Sequence, residues 1–399
     1  MYGRHSETHP SSRHLPQKSE CGYQGNGTTP CYTEYIKWIP YNPDDIAFPD
    51  RFPVSQWETE KRIGKTNPYI HQTAAENGYL YDLTDALDQY GINDSLLPGL
   101  VHACTVDGKD MGMPSEVMMV GFYYNKDLFQ QAGIEKAPVT YEEFLDVVDK
   151  LNAAGITPLT VGAQDNYSIW AFETMLARYG FFEKLDGLRD GSISWNNEDF
   201  IHYFEKVEEM REKGTFTKDI SNMGYFEAKE QFLGGNAAMF NSGAWDIGEF
   251  EKSDMASKIG FFWGPTFSDS QYEQQIGIKA SGGVYVVSSK AAEDPALLDA
   301  IMQFWQFYYG EEGTRIIAED TATLPCSTYN GQIDESQHPV LSTMITALND
   351  DWKAVTEPFN SLSSNVAYGY FDATFGVMTG VYTPEEAADY VENLQSAER

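Results

Sequence analysis

The sequence predicts an α/β protein built as two lobes, and three observations carry that prediction. The chain has 399 residues, too many for one small core at about 100–200 residues per domain. Apolar residues make up 42% of it, enough to fill large cores. Beyond residue 70, strand-like and helix-like signals alternate, the pattern of strands layered with helices.

The elements follow in order. Thr140-Tyr-Glu-Glu143 is a capping box, in which Thr140 accepts from the third helical N–H and Glu143 reaches back. Phe144, Val147, Val148 and Leu151 then recur on one helical face. Gly155 stops that helix, and Ile156-Thr-Pro-Leu-Thr-Val161 reads as a short buried strand. A helix carrying Trp170, Phe172, Met175 and Leu176 follows. A charged helix spans Asp199 to Lys213, with Gly214 as its stop. Ala237-Ala-Met-Phe240 and Gly283-Val-Tyr-Val-Val287 read as strands. Asp294-Pro295 opens another helix, Asp as cap and Pro in the first turn, with Leu298, Met302 and Trp305 on its buried stripe. Thr383-Pro-Glu-Glu386 is a second capping box, leading into Ala387, Val391 and Leu394.

Charge narrows the function classes. The net charge is −33, and all of it lies after residue 70, because the first 70 residues hold eight basic and eight acidic side chains. Phosphate backbones and anionic headgroups are repelled by such a surface, so nucleic-acid and membrane-surface partners are disfavoured. The opening 70 residues carry eight of the 18 prolines and show no strand or helix period, which reads as loop or disorder.

Catalytic and metal motifs are missing. There is no HExxH, no GxSxG and no EF-hand loop. Ile63-Gly-Lys-Thr66 has Thr59 where a phosphate loop needs its first glycine. His102, His202 and His338 have no partner at ligand or triad spacing, and Cys21, Cys31, Cys104 and Cys326 show no metal spacing. Carboxylates are abundant, but no pair stands apart as a glycosidase would require.

Several strings then fall in a specific order. They are Asp107-Gly-Lys-Asp-Met-Gly-Met-Pro114, Tyr124-Asn-Lys-Asp-Leu-Phe129, Ala132-Gly-Ile134 and Ala153-Ala-Gly-Ile-Thr-Pro-Leu159. Phe232-Leu-Gly-Gly-Asn-Ala-Ala-Met239, Asn241-Ser-Gly-Ala-Trp245, Gly282-Gly-Val-Tyr-Val-Val-Ser288 and Gly310-Glu-Glu-Gly313 continue the series, and Thr383-Pro-Glu-Glu-Ala387 closes it. Together they resemble the family 1 extracellular solute-binding proteins of bacterial ABC sugar importers, the maltose-binding-protein-like group. The departure is the first 70 residues, where the family's signal peptide, first strand and first helix are not legible. The expectation there is a truncated gene start replaced by unrelated or out-of-frame coding sequence, with a natural divergent N-terminus as the alternative.

The resemblance implies a two-lobed type II-like binding-protein fold with hinge crossovers. Residues 71–115 and 258–318 would build the N-terminal lobe, and 122–256 and 319–395 the C-terminal lobe. It implies an extracellular or periplasmic, lipoprotein-like monomer. Such a protein captures a carbohydrate between its lobes and delivers it to a permease, with no cofactor and no catalysis. The expected ligand residues are Trp245, Tyr167, Tyr368, Gln164, Asp165, Glu116, Asn241, Gly282 and Gly283. Aromatic rings suit the C–H faces of sugars, and amides and carboxylates suit their hydroxyls. Two alternatives stand beside this reading: a non-sugar solute such as a polyamine or glycerol phosphate, and a carbohydrate-active enzyme with paired carboxylates.

Overall fold

The predicted alternation is realised around one long strand. The structure is a computed structural model that describes residues 63–66, 68–97, 100, 104–165, 168–329, 331 and 333–399. Its strands are β1 (Ile63–Thr66), β2 (Thr105–Val106), β3 (Lys109–Asp110), β4 (Met113–Asn125), β5 (Thr157–Thr160), β6 (Ala237–Gly243), β7 (Ile259–Phe262), β8 (Ile276–Val287) and β9 (Lys353–Val355). The main sheet runs β1-β8-β4-β6-β5, with β7 on β4 and β9 on β8. β2 and β3 form a separate hairpin.

β4 serves two sets of neighbours. Its first half, from Met113 to Met119, pairs antiparallel with β8, and the register slips around Glu116. Its second half pairs with β6 over Val120–Tyr124 and with β7 over Phe122–Asn125. Side chains alternate across a strand, so β4, β6 and β7 feed two cores. Phe122, Met239 and Phe262 enter one core, with Phe144, Leu151, Phe172, Trp195, Tyr203 and Tyr370. Tyr123, Phe240 and Trp263 enter the other, with Leu87, Met119, Phe232, Phe250, Trp305 and Leu341. Strands covered on both faces read as nearly continuous apolar runs.

The local helix signals are met. Both capping boxes form, at Thr140 with Glu143 and at Thr383 with Glu386. The charged helix is Glu198–Glu212, capped by Asn197, and Gly214 follows it with a φ of 69°. Asp294 caps the helix Pro295–Tyr308. The reading of residues 1–70 as loop or disorder, including the truncated and replaced gene start, falls outside the described residues as far as residue 62. At its far end it is corrected. Ile63–Thr66 is a strand paired with Val284–Val287, and a helix begins at Pro68. Pairing to β8 supplies hydrogen bonds that no local pattern advertises.

The helix Trp170–Ala177 is anchored at its end by Arg178. That guanidinium is fully buried and donates to four backbone carbonyls: Gln274 at 3.0 Å, Pro265 at 2.8 Å, Ile276 at 2.8 Å and Trp263 at 3.4 Å. It also lies 5.0 Å from the centre of the Trp352 ring. Burial lowers its pKa to about 9, so it stays charged at neutral pH.

Candidate ligand site

β5 and β6 are parallel neighbours, so their C-terminal ends open on the same edge of the sheet. Ligand sites of α/β sheets form on that side. After β5, the chain passes Gln164 and Asp165 before the helix Trp170–Ala177 begins. After β6, a single turn, Ala244–Asp246, carries Trp245. The two indoles meet there, Trp245 and Trp170, with centroids 4.6 Å apart at 63°. Trp245 is 41% exposed, and Phe226, whose ring packs against Tyr225, is 63% exposed. An open aromatic surface is therefore built where the two strands end.

The turn sequence explains the pose of Trp245. A Cβ at Gly243 would lie 2.4 Å from the indole Cζ3 and 2.6 Å from the Met119 carbonyl oxygen. Only glycine lets the ring fold back over the strand. Nε1 of the indole donates to the Tyr225 hydroxyl at 2.8 Å. That hydroxyl donates to the buried Asp246 carboxylate, which also accepts from Ser242 Oγ at 2.5 Å. Lys229 lies 3.3 Å from Asp246 and also pairs with Glu249. Burial disfavours the Lys229 ammonium, yet the Glu249 and Asp246 carboxylates outweigh it and hold its pKa above the usual range. Burial, with Asp246 adding, pushes the Tyr225 phenol up, so it remains a neutral donor.

The expected residues fall into four places. Trp245, Gln164 and Asp165 stand at the strand ends. Gln164 is exposed, and its N–H donates to the Met223 carbonyl at 3.0 Å. Asp165 Oδ2 accepts from the Tyr225 N–H at 2.7 Å, at the start of the helix Tyr225–Leu233. Asn241 is only 1% exposed. Its amide accepts from the Ala171 N–H at 2.7 Å and donates to the Ser168 carbonyl at 2.6 Å, pinning the Trp170 helix to β6. Glu116, Gly282 and Gly283 sit together on the β4–β8 pair, Glu116 opposite Gly283. A Cβ at Gly282 would meet Glu116 Cγ at 2.9 Å. Tyr368 is on the helix Ser364–Thr379, in an aromatic group with Phe359 and Phe371. Tyr167 lies outside the described residues.

This chain has recognisable relatives. A family model described as "Bacterial extracellular solute-binding protein" matches residues 66–339. The chain belongs to that family. Among curated relatives of this solute-binding protein is the sn-glycerol-3-phosphate-binding periplasmic protein UgpB of Brucella abortus (strain 2308), 26% identical over 199 residues, 47% of this chain and 44% of the relative. The protein of the same name from Pectobacterium atrosepticum is 25% identical over 228 residues, 54% of this chain and 48% of the relative. The chain thus spans about half the length of the curated relatives it matches. The fold is shared with a chitin oligosaccharide binding protein, at a TM-score of 0.72 and 23% identity over 82% of this chain and 80% of that one. It is also shared with RafE in complex with raffinose, at a TM-score of 0.64 and 19% identity over 86% and 87%.

Residue types alone did not single out Trp170, Tyr225, Phe226 or Lys229 of this solute-binding protein. Trp170 reads as one more core position of a helix, but it opens that helix and is only partly buried. Phe226 beside Tyr225 carries no periodic signal. The strand-end position after β5 and the Gly-Ala-Trp turn after β6 were the available clues.

A buried carboxyl pair lies elsewhere in this solute-binding protein. Glu173, on the Trp170 helix, is fully buried and accepts from the Phe359 N–H at 2.7 Å. Glu357 is buried nearby and accepts from the Asn360 amide at 2.9 Å. Burial and then the neighbouring Glu357 raise Glu173 well above the carboxylate range, while burial pushes Glu357 up to about 7. Both carboxyls of the pair are buried. Its signature is in stability. Between about pH 4.3, where an exposed glutamate ionises, and about pH 7, the unfolded chain has lost this proton and the folded protein keeps it. The stabilisation is complete below pH 4.3 and is lost as pH rises through the folded value. Denaturant melts across pH 5–8 are expected to show Glu357→Gln gaining on the wild type as pH rises, by on the order of 3 kcal/mol. A difference that does not change with pH would contradict the raised Glu357 pKa.

Proposed function

We propose that this solute-binding protein captures a carbohydrate at the Trp245–Trp170 surface and hands it to an ABC transporter permease. The observation that carries the reading is the open aromatic surface at the ends of β5 and β6. Sugars present C–H faces that stack on such rings, and hydroxyls that Gln164, Asp165 and Glu116 suit. The carbohydrate ligands of the chitin-oligosaccharide and raffinose proteins support the same class. The lobes divide about β4, which is shared by two sets of strands, and hinge closure buries the ligand. The protein acts as a monomer, the sugar leaves chemically unchanged, and the −33 charge keeps nucleic acid away.

The glycerol-phosphate-binding relatives favour a second reading, a phosphorylated polyol. A phosphate needs accessible cations, and Lys229, a cation behind this surface, is buried and held by Asp246 and Glu249. The sugar reading is therefore preferred. A thermal-shift screen separates the two. A sugar at 100 times its Kd is expected to add about 2.7 kcal/mol of stability, visible as a rise in Tm, with glycerol 3-phosphate and spermidine silent. A rise with glycerol 3-phosphate alone would replace the proposal by the second reading.

A further inference from the structure

An indole at the tip of a three-residue turn, exposed on 41% of its surface, would be free to change rotamer. Trp245 is not left so. Its Nε1 donates inward to Tyr225 Oη, its ring meets Trp170, and Gly243 lies beneath its six-membered ring. Tyr225 is in turn fixed at both ends. Its N–H donates to Asp165, and its hydroxyl donates to Asp246. Asp246 is itself held by Ser242 and Lys229. Tyr225, Lys229, Ser242 and Asp246 are all buried, none more than 5% exposed. They form a layer behind the aromatic surface and do not form its face.

We infer that Tyr225 and Asp246 are positioning residues, which lock the Trp245 indole in one orientation before any ligand arrives. The relay runs from the Lys229–Asp246 ion pair through the Tyr225 hydroxyl to the indole N–H. Two consequences follow. The indole N–H points into the protein, so Trp245 offers a ligand its ring and not a hydrogen-bond donor. The ring is already ordered, so binding does not bear the entropy of immobilising it. The effect on affinity rests on the proposed sugar site, whereas the orientation of the ring in the free protein does not.

The test uses the full chain labelled with 5-fluorotryptophan and observed by fluorine NMR without ligand. The Trp245 line is found by its absence in Trp245→Phe. The wild type is expected to give one sharp Trp245 line. In Tyr225→Phe, Asp246 keeps Ser242 and Lys229 as partners, so the fold should hold, and the remaining tryptophan lines serve as its check. The Trp245 line should then split or broaden. A single sharp line at the wild-type position in folded Tyr225→Phe overturns the inference. Should Tyr225→Phe fail to fold, the double variant Asp246→Asn/Lys229→Met removes the ion pair and keeps the phenol, and the same line is read. Titration with the sugar found by thermal shift should show a 2- to 12-fold loss of affinity in Tyr225→Phe, on the scale of one immobilised side chain. If Trp245→Ala leaves that affinity unchanged, the sugar site is misplaced, and the line shape still decides the positioning role.

Discussion

Trp245→Ala is expected to weaken sugar binding by about 1–3 kcal/mol, roughly 5- to 150-fold, the scale of a buried aromatic anchor. The ring is 41% exposed in the free protein and stands against Trp170, so a ligand can cover the surface that is still open. Trp245→Phe should recover part of the loss, because a smaller ring still offers a face to C–H groups. It cannot restore the bond to Tyr225 Oη, which needs the indole N–H. If Trp245 served only packing, alanine would cost stability and leave the affinity of the folded molecules unchanged. Calorimetric titration beside a denaturant melt of the same samples distinguishes these outcomes.

Arg178→Ala is expected to lower the unfolding free energy by roughly 3–5 kcal/mol. Its guanidinium satisfies carbonyls of Trp263, Pro265, Gln274 and Ile276, all on the path from β7 to β8. Without it these acceptors lose a charged donor, at about 1–3 kcal/mol for each one left buried and unpaired, and a cavity opens against Trp352. Partial relaxation keeps the total below the sum. Arg178→Lys should recover little, because one ammonium cannot reproduce the planar fork that spans these carbonyls. Guanidinium melts of both variants check the order, and a loss below about 1 kcal/mol in Arg178→Ala would contradict this role for the buried guanidinium.

Legibility followed the range of the interaction. The capping boxes at Thr140 and Thr383 and the Asp294-Pro295 start act within one helical turn, and the sequence announces them. The Asn-Ser-Gly-Ala-Trp segment likewise places Trp245 at a strand end, because strand, turn and ring are adjacent in the chain. Trp170 and Trp245 meet only because β5 and β6 pair in parallel, and no local pattern encodes that meeting. Arg178 looks like any cation at a helix end, yet its acceptors lie 85 to 98 residues further on. Asn241 reads as an amide for a ligand hydroxyl, and the fold uses that amide to hold Ser168 and Ala171. Ile63–Thr66 showed no strand period because its order comes from β8.

Carbohydrate capture without turnover is tested by a calorimetric titration of the purified protein with the sugar selected by thermal shift, followed by mass spectrometry of the recovered ligand. Saturable binding at one site per chain and a ligand of unchanged mass are expected. Saturation by glycerol 3-phosphate with no response to any sugar, or recovery of hydrolysis products, would contradict the proposal.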